Sequence, residues 1–255
     1  MNDDLKKFVQ EELERITVKI STKTGFKGTG FFVTIDGYIL TAWHCIQEVI
    51  ALGSNDIFIE CHGKKLIGQL KPEKSIEDLD IAVIKTKHPV NNCVPLGCVP
   101  ENPSDDDIIS VGYPGIHKNN AGIGSYSGKI TRFVDFDIEI KDAIQGQGQS
   151  GGLIYHYPTH RIIGIVKKIY KENVLRNAGL AAKVEDLLST WDELSDIHDE
   201  IAKAWDNRLA QFTSKTNSNG LENISEKNGN VELKVKKAKT VIGQAHTVTI
   251  NNRKD

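Results

Sequence analysis

The chain is poor in the features that mark secreted mini-proteins and helical membrane proteins. Four cysteines, Cys45, Cys61, Cys93 and Cys98, are spread unevenly over 255 residues. That is too few and too irregular for a secreted disulfide framework, and reduced thiols are expected. No apolar run approaches the roughly 18 residues of a membrane helix. Met1–Gln10 carries Asp3, Asp4, Lys6 and Lys7 where a signal peptide needs an apolar stretch, so the expected compartment is the cytoplasm. An excess of one charge is also missing. With 32 basic and 34 acidic residues the net charge is -2, which argues against a globally basic nucleic-acid binder and an acid-rich disordered chain.

What is present falls into blocks. Asn2 or Asp3 caps a short amphipathic helix over residues 1–16, with Leu5, Phe8, Val9, Leu13 and Ile16 on one face. From Thr17 the pattern changes to short runs of Val, Ile, Phe and Tyr punctuated by glycine, an all-β signature. Twelve strands are expected between Val18 and Lys183, which suggests Greek-key barrels or a sandwich. The period then reverts to helical, with Trp191, Leu194, Ile197, Ile201, Trp205, Leu209 and Phe212 on one face of a long helix over 191–212. Residues 184–212 hold eight acids against two bases, and the expected role of this helix is a clamp on the β body, with the docking of a partner as the alternative. Residues 213–230 are polar, with Leu221 and Ile224 as their large apolar groups, and read as a disordered linker. Residues 231–255 hold six bases against two acids around the β-prone run Val241–Asn251.

Three short segments carry chemistry. His44, in Thr41-Ala42-Trp43-His44-Cys45, follows a strand run that contains the hairpin turn Asp36-Gly37. Asp80 stands immediately before the apolar run Ile81–Ile84, where a part-buried carboxylate needs a donor such as an imidazole N–H. Ser150 lies in Gly146-Gln147-Gly148-Gln149-Ser150-Gly151-Gly152, whose glycines permit a tight turn that lifts a hydroxyl forward and converges backbone N–H groups. A serine hydroxyl becomes a nucleophile when a neutral imidazole accepts its proton and a buried carboxylate holds that imidazole in the right tautomer. Singly, each segment is more often structural than catalytic; the ordered combination points to nucleophilic catalysis.

These segments, with Gly28-Thr-Gly-Phe-Phe-Val-Thr-Ile-Asp-Gly-Tyr-Ile-Leu-Thr41, resemble the signature blocks of trypsin-like, chymotrypsin-fold serine proteases of the HtrA type. The resemblance covers residues 17–190. It implies two six-stranded Greek-key barrels with the active site between them, catalytic His44, Asp80 and Ser150, and an oxyanion hole from the N–H groups of Gly148 and Ser150. It implies a protein or peptide substrate, and neither a metal nor a cofactor. Asp142, Val166 and Lys167 are the expected specificity-pocket residues, with an acidic floor favouring basic side chains and inward lysines favouring acidic ones. Departures from the family pattern also matter. Gln149 replaces the aspartate that pairs with a freed N-terminus in zymogen-type members, so self-activation by that route is not expected. The half-cystine partner that Cys45 has in secreted relatives is missing, and the residues after Phe212 are too few and too polar for a PDZ domain.

Rival readings fit less well. A Gly-x-Ser-x-Gly nucleophile elbow needs its acid and histidine downstream on alternating strands and helices, which this chain lacks. Cys93-x4-Cys98 with His88, or Cys61-His62, lacks the paired spacing of zinc ligands. An inactive trypsin-fold peptide-binding module and a housekeeping quality-control protease are the alternatives within the fold. Residues 231–255 resemble short amyloid-type signalling motifs of bacterial effectors, which implies self-assembly or pairing with a NOD-like-receptor-type ATPase sensor in antiviral defence or cell death. An edge strand or a solvated end is the plainer alternative for that tail.

Overall fold

A computed structural model describes residues 2–54, 56–115, 122–169, 178–219, 224–227 and 230–233. Helix α1 (Asp3–Ile16) leads into β1 (Thr17–Thr22), β2 (Gly25–Phe32) and β3 (Tyr38–Ala42). A 3-10 turn at Trp43–Cys45, α2 (Gln47–Ala51), β4 (Asp56–Cys61), β5 (Lys64–Leu70) and β6 (Ile81–Thr86) follow. The second set is β7 (Asp107–Gly112), β8 (Gly124–Val134), β9 (Asp137–Lys141), β10 (Leu153–His156), β11 (Arg161–Ile169) and β12 (Gly179–Lys183). Helices α3 (Glu185–Thr190) and α4 (Asp192–Asn219) close the order, followed by β13 (Ile224–Lys227) and β14 (Asn230–Leu233).

The two sets form closed antiparallel barrels in the orders β1-β2-β3-β6-β5-β4 and β7-β8-β9-β12-β11-β10. Each barrel repeats one plan, in which the third strand pairs with the sixth and the fourth closes on the first. This is the expected chymotrypsin-type pair of six-stranded Greek keys. Alternation gives each sheet one face to enclose: in β4 the side chains of Ile57, Ile59 and Cys61 are buried while Asp56 and Phe58 face outward. Among the described residues, no helix is long and apolar enough to cross a membrane.

The chain divides into two compact units, Met1–Leu209 and Ala210–Asp255. Within the first, α1 begins on Asn2, whose side chain accepts the Leu5 N–H at 2.8 Å, and buries Val9, Leu13 and Ile16. The first part of α4 lies on the body as the expected clamp. Trp205 is fully buried, stacks on Phe8 with ring centres 6.1 Å apart, and donates its indole N–H to His160 O at 3.0 Å. Arg161 grips Asp206 through two hydrogen bonds of 2.8 and 2.9 Å, and Arg208 pairs with the buried Glu12.

The linker boundary needs correction. The helical residues run past Phe212 to Asn219, with Ser214 Oγ donating to Ala210 O and Thr216 Oγ1 to Phe212 O. Polar composition does not oppose a helix, and no glycine or proline interrupts Thr213–Asn219 before Gly220. Within residues 213–230, Ile224–Lys227 forms a hairpin strand that pairs with Asn230–Leu233. The rest of the tail, 234–255, lies outside the described residues.

Candidate active site

His44 sits in the 3-10 turn directly after β3, and Asp80 directly before β6, the strand that pairs with β3. Because Ala42 faces Ile81 in that ladder, the two flanking residues are delivered to the same barrel end. Asp80 takes a left-handed backbone (φ 60°) at the end of the turn Glu77–Leu79. Its Oδ1 accepts the His44 backbone N–H at 2.9 Å, and its Oδ2 lies 2.7 Å from His44 Nδ1. The Asp80 carbonyl accepts the Trp43 N–H at 3.0 Å, so one aspartate holds the turn as well as the ring. With Nδ1 engaged, Nε2 is the ring nitrogen left for a second partner. The carboxylate hydrogen bond, followed by Cys45 next to the ring, pushes the His44 pKa up to about 10.

The Ser150 loop is docked on the first barrel by Thr29 of β2. The Thr29 N–H donates to Ser150 O at 2.8 Å, and Thr29 Oγ1 donates to Gly148 O at 2.8 Å while accepting the Tyr113 N–H at 2.9 Å. Thr29 is fully buried. Gly151 (φ 83°) wedges behind the serine, where any Cβ would overlap the Thr29 carbonyl oxygen and the Thr41 hydroxyl. Cys45, the residue after His44, places its Sγ 3.7 Å from Ser150 O. The side chain of the residue after His44 therefore touches the backbone of Ser150. The Ser150 hydroxyl makes no hydrogen bond to His44 or any other described residue, so the nucleophile–base contact is open in this conformation.

Two peptide planes in the loop have fixed orientations. The Gln147 carbonyl accepts the Gly115 N–H at 2.6 Å, and the Gln149 carbonyl accepts the Gly152 N–H at 2.8 Å. In a trans peptide the N–H points opposite to its carbonyl, so the Gly148 and Ser150 N–H groups are turned the other way. Neither donates to a described residue, which leaves two backbone donors, one on either side of Gln149.

Residues 28–165 match the family model of the trypsin-like peptidase domain. The chain belongs to the trypsin-like peptidase family. Its similarity is to HtrA-type members. A probable periplasmic serine endoprotease, DegP-like, from Hahella chejuensis is 27% identical over 202 residues, covering 74% of this chain and 39% of the relative. The chain therefore spans about two-fifths of that relative's length. Among solved structures, the HtrA-type protease AlgW with a decapeptide has a TM-score of 0.57 at 18% identity, covering 74% of this chain and 66% of that one. A serine endoprotease from Yersinia pestis gives 0.59 at 20% identity, covering 74% and 65%. At these identities the structures establish the shared fold.

The specificity residues expected from sequence lie in different places. Lys167 lines a cleft of about 510 Å³ with His44, Asp80, Asp137, Lys168 and Leu180. Asp142 is exposed on a turn (φ 65°) and Val166 is buried in the second barrel's core, and neither lines that cleft. The alternation of β11 turns Val166 inward. Two residues that sequence reasoning did not place in the site organise it. Thr29 joins the barrels, and the buried Gln149 side chain accepts the N–H groups of Gln145 (2.6 Å) and Gly146 (3.2 Å). The available signal for Gln149 was its place directly before Ser150 as an uncharged residue where zymogen-type members have an aspartate; its full burial is what the fold adds. The four cysteines are free thiols.

Proposed function

We propose that this chain is a serine endopeptidase with Ser150 as nucleophile, His44 as general base and Asp80 as the group that orients the imidazole. The observation that carries the reading is the 2.7 Å approach of Asp80 Oδ2 to His44 Nδ1, next to a loop that offers Ser150 with two unbonded N–H groups. Rotation of the Ser150 side chain toward Nε2 completes the relay; such contacts tighten when substrate binds. Ser150 Oγ then attacks the peptide carbonyl carbon as His44 takes its proton. The oxyanion is held by the Gly148 and Ser150 N–H groups, and His44 returns the proton to the leaving amine. Water, deprotonated by the same imidazole, hydrolyses the acyl-enzyme. The decapeptide bound to the AlgW relative supports a protein or peptide substrate.

A fluorophosphonate probe tests this directly. Wild type should be labelled on Ser150, and Ser150→Ala should not be; labelling that persists in Ser150→Ala removes the nucleophile assignment, and an unlabelled wild type favours the inactive peptide-binding module.

A cytoplasmic, reducing location is supported by Cys45, which has a glycine opposite it. A Cβ built on Gly28 lies 3.6 Å from Cys45 Cβ, the separation of a disulfide pair. An effector role, with clustering through residues 231–255 on a NOD-like-receptor-type sensor or on itself, rests on the β-branched, proline-free sequence of that tail. A synthetic 231–255 peptide that fails to bind thioflavin or to seed its own assembly overturns the self-assembly arm. Absence of co-assembly with such a sensor overturns the other.

A further inference from the structure

Consecutive residues of a strand face opposite sides, yet Lys167 and Lys168 both line the cleft that holds His44. The register of β11 against β12 explains this. Val166 pairs with Ala181 and Lys168 with Leu180, so Lys167 is an extra residue, a β-bulge. Without it, Lys168 would turn to the face of Val166, which is packed inside the second barrel. The bulge brings a second lysine to the cleft wall.

The charges of that wall are unequally matched. His44 is paired with Asp80. Lys167 is clamped by Asp137, with Nζ 3.1 and 3.2 Å from the two carboxylate oxygens. Lys168 is exposed, and its side chain has no ion-pair or hydrogen-bond partner among the described residues. Leu180 is the one apolar side chain of the lining. The Asp80 carboxylate is engaged by two His44 groups, the backbone N–H and Nδ1, and Lys167 by Asp137, so the charged side chain of the lining left without a partner among the described residues is Lys168, on a flexible stem beside the proposed general base.

We infer that Lys168, brought to the His44 cleft by the bulge at Lys167, selects peptides that carry a carboxylate close to the scissile bond. This rests on the reading of the chain as a serine endopeptidase and adds a substrate class to it. An acidic side chain entering the cleft meets Lys168 without displacing Asp137 from Lys167, whereas a basic one meets Lys168 as a like charge. Leu180 offers the methylenes of a glutamate an apolar surface in the same lining.

The test uses the full chain and matched quenched-fluorescence peptides, amidated at the C-terminus, that differ at one position near the cleavage site: Glu, Gln or Lys. For wild type, kcat/KM should favour Glu over Gln by about three- to fivefold at low salt, with Lys poorest and the preference shrinking at high salt. Lys168→Gln should flatten the series and Lys168→Glu should invert it. A parallel set with free C-terminal carboxylates asks whether the chain end supplies the anion. The same comparison is made by fluorescence anisotropy on Ser150→Ala, which reads the cleft without turnover. If Ser150 labels with the fluorophosphonate but Glu, Gln and Lys peptides are treated alike, or Lys168→Glu keeps the wild-type order, the inference is overturned and the protease assignment stands. A response confined to free C-terminal carboxylates also overturns it. A wild type that neither labels nor cleaves overturns the protease assignment, and the anisotropy series then decides the cleft preference separately.

Discussion

The Thr29 N–H donates to the Ser150 carbonyl oxygen at 2.8 Å, and the hydroxyl of the same threonine donates to Gly148 O at the same distance. One buried residue of the first barrel therefore holds both ends of the segment that carries the proposed oxyanion donors. Thr29→Val preserves shape and the backbone bond but leaves Gly148 O and the Tyr113 N–H without their side-chain partner. Leaving buried groups unpaired costs about 1–3 kcal/mol each. The expected outcome is a loss of stability of that order in chemical denaturation, with kcat reduced by about tenfold to a hundredfold because the loop shifts relative to His44. Unchanged kcat with lowered stability would show that the hydroxyl serves the fold alone.

His44 carries a second prediction. Its hydrogen bond to Asp80 favours the imidazolium, so the ring pKa is raised to about 10. A general base must be neutral, so kcat/KM should climb with pH through neutrality and level off only in the alkaline range. Asp80→Asn removes the carboxylate that stabilises the cation, and the limb should fall back toward the ordinary histidine value while the plateau drops by several powers of ten. The stability sign is the reverse. The pair's contribution is complete below the unfolded histidine pKa, about 6.5, and is lost as pH rises through the folded value. A limb that stays in the same place in Asp80→Asn would contradict the assignment.

Gln149 gives a test of positioning. Its side-chain oxygen accepts two loop N–H groups, from Gln145 and Gly146, and its amide nitrogen lies 3.4 Å from both Ser110 Oγ and Ala143 O. Gln149→Leu strands the two donors and should lower kcat more than it raises KM, since the same loop sets the Gly148 and Ser150 N–H groups. Gln149→Glu keeps the acceptor and loses the weaker donor contacts, so it should recover most of the rate. Equal damage from both variants would mean that the amide nitrogen, not the oxygen, holds the loop.

Local periodicity explains what was readable in advance. Strands such as β4, with Ile57, Ile59 and Cys61 alternating against outward residues, announce themselves by their two-residue period. The end positions of His44 and Asp80 follow from the turn at Asp36-Gly37 and from the apolar run after Asp80. Relations that depend on closure were not readable in this way. Thr29 and Gly148 are 119 positions apart, and nothing near Thr29 marks it as the residue that joins the barrels. The bulge at Lys167 is a property of β11 against β12, so alternation counted along one strand gives the wrong face for Lys168. Helix α4 passed the expected boundary because polarity was read as disorder where no helix breaker stood.

Trp205 ties the helices to the second barrel and supplies a stability prediction. Its ring stacks on Phe8 of α1, meets Tyr155 of β10 edge-on at 6.3 Å, and donates to His160 O at 3.0 Å. Trp205→Ala removes a fully buried ring at the junction of three elements and should cost about 3–5 kcal/mol, read as a lowered denaturation midpoint at unchanged m. Trp205→Phe keeps most of the packing and loses the hydrogen bond, for about 1–2 kcal/mol plus the smaller volume. Because Trp205 does not line the His44 cleft, both variants should keep the wild-type rate of fluorophosphonate labelling under conditions where they remain folded. If Trp205→Ala unfolds at the wild-type denaturant concentration, α4 is an ornament on the barrels and the clamp assigned to it is wrong.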